Sequence, residues 1–280
     1  MIANARMYSV SPEAAGLWRR LLTALIEHAG VDVQLLEHGE PKPISELWQR
    51  SDKAAVFMCG LPFSMSHPRP ELIAAPVPQP AAFQGLPQYW SEMVVRKDSA
   101  FRTIADTFGA RIALTVPDSQ SGCLAALHYL MTVADRFPLY GEVITPRVTP
   151  QGAMSAIIDG AAEVAPIDSY AYCLLEKYRP DLTSQLRVIA RTAPTPIPPL
   201  VASKPGLEAL QAAFLEAHRI AAISPLMTDL LLERFVCPDP DSYDALRLNF
   251  LAAGRFWREH PLAATLHPAF RAAGPFASSL

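Results

Sequence analysis

The hydrophobic positions of the first sixty residues change period several times. Ile2 to Tyr8 reads as a strand, and Ser11-Pro12-Glu13 then supplies a capping hydroxyl and a proline at the first helical position. Ala14, Leu17, Trp18, Leu21, Leu22, Leu25 and Ile26 recur at helical spacing as far as His28. Apolar runs at Val31–Leu36 and Ala54–Cys59 predict two more strands, with a short helix over Ile44–Arg50 between them. This βαβαβ order predicts a parallel sheet covered by helices.

The stretch from Pro62 to Pro87 is rich in proline and weakly periodic, so it reads as mostly loop with one strand at Leu72–Pro76. Gln88–Arg96 reads as extended and Phe101–Phe108 as a short helix. Strands at Arg111–Val116, Glu142–Ile144 and Glu163–Ile167 then alternate with helices at Ser121–Ala134, Gln151–Asp159 and Asp168–Lys177. That alternation predicts a second α/β unit. Leu186–Ala190 is again extended, and the prolines of Thr192–Pro199 predict a rigid extended crossing. Helical patterns over Gly206–Ile220, Pro225–Phe235 and Tyr243–Arg258 are placed most economically on the first sheet. The expected organisation is one discontinuous α/β domain, residues 1–93 with 193–280, and an inserted α/β domain, 94–192. Such a two-segment connection allows hinge closure over a ligand.

Composition narrows the partners. The chain has 280 residues, half of them hydrophobic, which is enough for a sizeable core. Net charge is −3 and the 24 basic residues are scattered, so no nucleic-acid partner is expected. Cys59, Cys123, Cys173 and Cys237 form no C-x-x-C pair, and the seven histidines form no zinc-binding pattern; neither a metal nor another cofactor is expected. No run of 18 apolar residues is present, so no direct membrane insertion is expected. Met1–Tyr8 shows no leader pattern, which predicts a cytoplasmic protein for the chain as written, or a periplasmic one if a leader has been removed.

The candidate chemistry centres on Val116-Pro117-Asp118-Ser119-Gln120-Ser121-Gly122, which lies between a predicted strand and a predicted helix. First-turn amides lack intrahelical partners and the helix dipole favours negative charge. Ser119 and Ser121 add hydroxyls, and Gly122 allows close backbone approach. The segment has neither the lysine of a phosphate-binding P-loop nor a GxGxxG fingerprint. Taken alone, it is also an ordinary helix cap.

Other candidates fall at strand ends and crossings. Tyr8 follows the first strand, where it offers a hydroxyl or packs over the sheet rim. After the third strand, Gly60 and Leu61 allow backbone approach and Phe63 offers an apolar wall; Cys59 has no base nearby in sequence. Tyr89, Trp90 and Ser91 stand at the first crossing and Thr195 at the second. Asp168 caps the next helix or accepts from a substrate amine, with Ser169 or Tyr170 as a contact and Tyr172 on another side. Arg147, near the end of the Val143-Ile144 strand, can counter an anion or form an exposed ion pair.

Cys59-Gly60-Leu61-Pro62-Phe63, Tyr89-Trp90-Ser91-Glu92-Met93-Val94-Val95, Asp118-Ser119-Gln120-Ser121-Gly122 and Asp168-Ser169-Tyr170 occur in an order that resembles the phosphonate, phosphate and phosphite substrate-binding proteins of ABC transporters. The resemblance covers residues 1–200. It implies the type II periplasmic-binding-protein fold, with two α/β domains, two crossovers and a ligand cleft. It also implies a tetrahedral oxyanion held by hydroxyls and helix-start amides. On that resemblance Ser119, Gln120, Ser121 and Gly122 match the oxyanion loop, Tyr8 the first-strand aromatic, Tyr89 an interdomain aromatic, and Asp168 the acidic residue opposite. Gln120 departs from the family, in which a hydroxyl residue is common at that place.

The expected function is therefore non-enzymatic binding of a small anionic solute by domain closure, with an ABC-transporter permease or a signalling protein as partner. Two alternatives remain at this level: an enzyme of the same fold acting on a small carboxylate or other metabolite, and a cytoplasmic effector-sensing protein. No base–nucleophile pair supports the enzyme.

Overall fold

The computed structural model of the protein describes residues 1–40 and 42–266. The chain opens with β1 (Ile2–Asn4), a 3₁₀ turn at Arg6–Tyr8, α1 (Pro12–Ala29), β2 (Gln34–Leu35), α2 (Ser45–Gln49), β3 (Lys53–Phe57), α3 (Gly60–Met65) and β4 (Glu71–Pro78). The short strand β5 (Gln88–Tyr89) leads to β6 (Ser91–Arg96), β7 (Arg111–Ala113), a π-helical turn at Gln120–Leu124 and α4 (Ala125–Val133). Then follow β8 (Tyr140–Ile144), α5 (Pro150–Ile158), β9 (Val164–Asp168), α6 (Ser169–Tyr178), α7 (Pro180–Thr183) and β10 (Leu186–Arg191). The last stretch holds β11 (Thr195–Pro196), β12 (Leu200–Ala202), α8 (Glu208–Glu216), α9 (Ser224–Asp229), β13 (Leu232–Val236), α10 (Asp244–Glu259) and β14 (Ala263–Leu266).

These elements form two compact units, Met1–Gln88 with Pro196–Asp244, and Tyr89–Thr195 with the described residues from Ala245 to Leu266. The first holds a sheet in the order β13-β4-β12-β3-β1-β2. The expected βαβαβ opening is present, with β1 parallel to both β2 and β3. Helix α1 is built as its sequence directs. The Ser11 side chain accepts from the Ala14 amide, Pro12 opens the first turn, and Gly30 closes the helix at φ 65°. Its seven expected apolar positions are its buried ones.

Two expectations for this unit are corrected. The Pro62–Pro87 stretch is not mostly loop: it carries α3 and the eight-residue β4, which lies between β12 and β13. Its prolines are tolerated because β12 pairs only with Glu71, Leu72 and Ala74, so Pro76 and Pro78 lie beyond that ladder. The helix expected over Pro225–Phe235 ends at Asp229, and Leu231 turns the chain at φ 56° into β13, an edge strand. In β13, buried Leu232 and Phe235 sit with charged Glu233 and Arg234, which guard the sheet edge.

The second unit holds a sheet in the order β10-β6-β9-β7-β8-β14. Strands β9, β7, β8 and β14 are parallel, whereas β6 and β10 are antiparallel additions. The helix expected over Phe101–Phe108 shrinks to a 3₁₀ turn at Ala105–Thr107, where the Asp106 carboxylate accepts the amides of Arg102 and Thr103. The compact units divide at 88/89 and 195/196. They also assign α10 differently from its expected place on the first sheet. The Trp257 indole donates to Leu127 O at 2.9 Å, and β14 pairs with β8. An amphipathic pattern says that a helix has a face to bury, but not against which sheet.

Candidate functional site

Strands β9, β7 and β8 run side by side in one direction. Each leads to a helix start: the π-helical turn after β7, α5 after β8, and α6 after β9. Three N-termini therefore gather at the carboxyl edge of one sheet, with first-turn amides and dipole ends that favour negative charge. The caps are Ser119, which accepts from the Gly122 amide at 3.1 Å, Thr149, which accepts from the Gly152 amide at 3.2 Å, and Asp168.

The central turn is wider than an α-helix. Leu124 N–H reaches Ser119 O at 3.0 Å, and Ala125 N–H reaches Gln120 O, both spanning five residues. Among the described residues the Ser121 amide has no hydrogen-bond partner outside the turn, and the Cys123 amide does not reach Ser119 O, which Leu124 occupies. Gly122 lies against Thr115. A Cβ at position 122 would overlap Thr115 Oγ1 and Cγ2 and come within 2.8 Å of its Cβ. Only glycine fits there.

A polar network joins this turn to its neighbours. The Ser91 hydroxyl donates to Ser121 O at 2.6 Å, and the Ser121 hydroxyl donates to Asp168 Oδ2 at 3.4 Å. Asp168 Oδ1 accepts the Tyr170 and Ala171 amides, each at 2.9 Å. The Trp90 amide donates to Ser169 Oγ at 3.1 Å, and the Ser169 amide returns to Trp90 O. The Ser91 amide donates to Thr192 Oγ1 at 3.0 Å. The structure thus brings Ser91, Ser119, Gln120, Ser121, Gly122, Asp168 and Ser169 together in the second unit.

Several residues expected at the site are packed against protein neighbours in this structure. Tyr170 is wholly buried, and burial holds its hydroxyl well above the usual tyrosine range, so its side chain is core. Tyr89 is buried as well, and Thr195 lies in β11, paired with β5. In the first unit, Tyr8 is enclosed between Trp18, stacked at 6.5 Å, and Phe57, edge-on at 5.0 Å. Phe63 is no open wall: it packs against Tyr243 at 5.0 Å under the Arg69 guanidinium. Gly60 and Leu61 are buried in the first turn of α3. These aromatic residues fill the unit's core because their large apolar area is worth most there.

Sequence reasoning missed Thr115, Thr145 and Thr192, whose hydrogen bonds fasten the loops. The Thr145 hydroxyl donates to Thr115 O at 2.8 Å. A lone threonine in an extended segment carries no periodic signal. Arg147 follows on the loop after β8; its amide donates to Leu114 O at 3.0 Å, and it forms no ion pair among the described residues.

Behind the network lies a buried carboxylate. Glu92 accepts from the Trp90 indole and from Arg191 Nε, each at 2.9 Å. Partial desolvation, and secondarily Glu92, pushes the carboxyl of the surface-exposed Glu176 above its ordinary 4.5. A carboxyl raised in the folded state adds stability below pH 4.5, and that contribution is lost as pH rises through the folded value. Because Glu176 is exposed and screened by solvent, Glu176→Gln should raise the melting temperature only slightly at pH 7 and leave it unchanged at pH 4, as differential scanning fluorimetry at the two pH values will report. Burial likewise pushes the Cys173 thiol to about 12 and the Cys123 thiol well upward. Neither is a ready nucleophile.

Two α/β units with mixed sheets, and helix starts gathered at a sheet edge of the second, define a type II periplasmic-binding-protein fold. The profile of the family described as "ABC transporter, phosphonate, periplasmic substrate-binding protein" matches residues 9–243, and the chain belongs to that family. Among solved structures, it is similar to a binding-protein component of an ABC phosphonate transporter from Pseudomonas aeruginosa, at 20% identity and a TM-score of 0.76, over 97% of this chain and 92% of that one. PhnD1 of Prochlorococcus marinus in complex with methylphosphonate aligns at 13% identity and a TM-score of 0.69, over 92% and 97%. A Xanthomonas citri protein bound to ATP aligns at 16% identity and 0.60, over 93% and 98%. No curated protein matches the chain.

Family membership makes the chain a solute-binding transport component, from a family of substrate-binding proteins and not of enzymes, and implies interaction with a transporter permease. It also corrects the expectation of a cytoplasmic protein, because the family is periplasmic. No helix among the described residues is long and apolar enough to cross a membrane.

Proposed function

We propose that the protein binds a phosphonate-class oxyanion without transforming it, and that its two domains close on the solute. The observation that carries this is the meeting of the three helix starts with the Ser119–Gly122 turn, where the Ser121 amide stands outside the five-residue bonds and the Cys123 amide does not take Ser119 O. Neutral donors and dipole ends hold the anion, and Arg147 on the adjacent loop supplies countercharge. Asp168 Oδ2 lies beside the Ser121 hydroxyl. A carboxylate there disfavours a bare dianion and favours a solute that also offers a donor, such as an amine. An aminoalkylphosphonate therefore suits the site better than inorganic phosphate. The raised Cys123 and Cys173 thiols support a role without covalent chemistry.

Isothermal titration with methylphosphonate, inorganic phosphate and an aminoalkylphosphonate tests this reading. The last should bind tightest, and Ser121→Ala should weaken it about tenfold, the worth of one hydrogen bond to a charged group. Small-angle scattering should show a smaller radius of gyration with ligand, and the solute should be recovered unchanged. Absence of binding by all three at millimolar concentration would sink the proposal.

A further inference from the structure

The turn at the centre of the site is held wide from its inner side. We propose that Thr115 is a positioning residue for anion binding: its amide holds Gly122 O at the end of β7, its side chain packs against Gly122 where no Cβ would fit, and together they hold the turn in its π-helical form. The proposal rests on the oxyanion reading above and names the residue that sets the geometry of that site.

Three observations carry it. First, the Thr115 backbone is pinned on both sides: its amide donates to Gly122 O at 3.0 Å, and its carbonyl accepts the Thr145 hydroxyl at 2.8 Å. Second, its side chain fills the space that a side chain at position 122 would need. Third, Thr115 is buried and its Oγ1 has no hydrogen-bond partner among the described residues. A buried hydroxyl without a partner is unfavourable, so shape rather than hydrogen bonding accounts for its use here.

The effect on the turn follows from its hydrogen bonds. An α-helical start would send the Cys123 amide to Ser119 O and the Leu124 amide to Gln120 O. Drawing Gly122 toward β7 enlarges the ring by one residue, so Leu124 takes Ser119 O and Ala125 takes Gln120 O. The Cys123 amide thereby gives up Ser119 O and stands beside the Ser121 amide at the turn. The Thr115–Gly122 contact thus decides how many amides an anion meets.

The test is a small series studied by calorimetry with methylphosphonate and by NMR couplings across the hydrogen bonds of Leu124 and Ala125. Thr115→Val, which keeps the shape, should bind within about twofold of wild type. Thr115→Gly should weaken binding about tenfold, the effect of one lost charge-assisted donor, and shift both bonds to four-residue spacing. Gly122→Ala should lose at least as much. Joining it with Thr115→Gly, which opens the space, should restore part of that loss. If Thr115→Gly does not fold, Thr115→Ala replaces it and should weaken binding severalfold. Wild-type affinity with five-residue bonds intact in the Gly or Ala variant would overturn the proposal, as would a Val variant as weak as the Gly one. Should the wild-type protein bind no methylphosphonate, the oxyanion reading fails, and the couplings alone then decide whether Thr115 sets the turn.

Discussion

The Asp168→Ala variant is expected to unfold about 2–4 kcal/mol more easily than the wild-type protein in urea titrations. Asp168 is buried, and one of its oxygens accepts two helix-start amides at 2.9 Å. Removing it leaves those amides of α6 without their acceptor, next to the positive end of the helix dipole. An ordinary exposed cap is worth about 1 kcal/mol, and burial with two charge-assisted bonds raises the figure. Asp168→Asn keeps an acceptor oxygen and should lose about half as much. Binding should separate the two roles of the carboxylate. In the Asn variant, an aminoalkylphosphonate should lose affinity while methylphosphonate holds or gains, because the negative charge has gone. Equal losses for both ligands would mean that Asp168 acts only as a cap.

Trp257→Ala should cost about 3–5 kcal/mol, the usual range for truncating a large buried aromatic. Trp257 is 6% exposed on α10, its indole donates to Leu127 O, and its ring meets Phe256 at 4.9 Å and Phe137 at 6.3 Å. The position of the damage is as informative as its size. Hydrogen exchange should rise first in α4 and β8, which belong to the same unit, while α1 and β3 keep their protection. Loss of protection in α1 and β3 ahead of α4 and β8 would contradict the assignment of α10 to the second unit.

Much of this architecture was legible before the structure. Where a segment's periodicity and its caps agree, as in α1 between Ser11 and Gly30, local chemistry alone specifies the element. The strand–helix junctions at Ser119 and Asp168 were readable for the same reason, since a capping side chain bonds to amides only two or three residues away. Failures came where the partner is distant. Prolines at 76 and 78 argue against a strand until β12 is seen to stop short of them. Residues 232–236 continue a helical pattern in sequence, but β4 offers them an edge to pair with. Tyr8 and Phe63 stand at strand ends in sequence, and only the folded chain shows that Trp18 and Phe57 pack against the first and Tyr243 against the second.

By itself the sequence determined the alternation of strands and helices, the helix caps, the serine-glycine turn and the family resemblance, because each rests on contacts between near neighbours or on residues read in order. Tertiary structure alone decided which unit receives α10, how the three helix starts meet at one sheet edge, and that Thr115 underlies Gly122. Those outcomes depend on contacts between distant segments, and a buried threonine or the polar side of a helix looks the same in sequence whatever surface it finally meets.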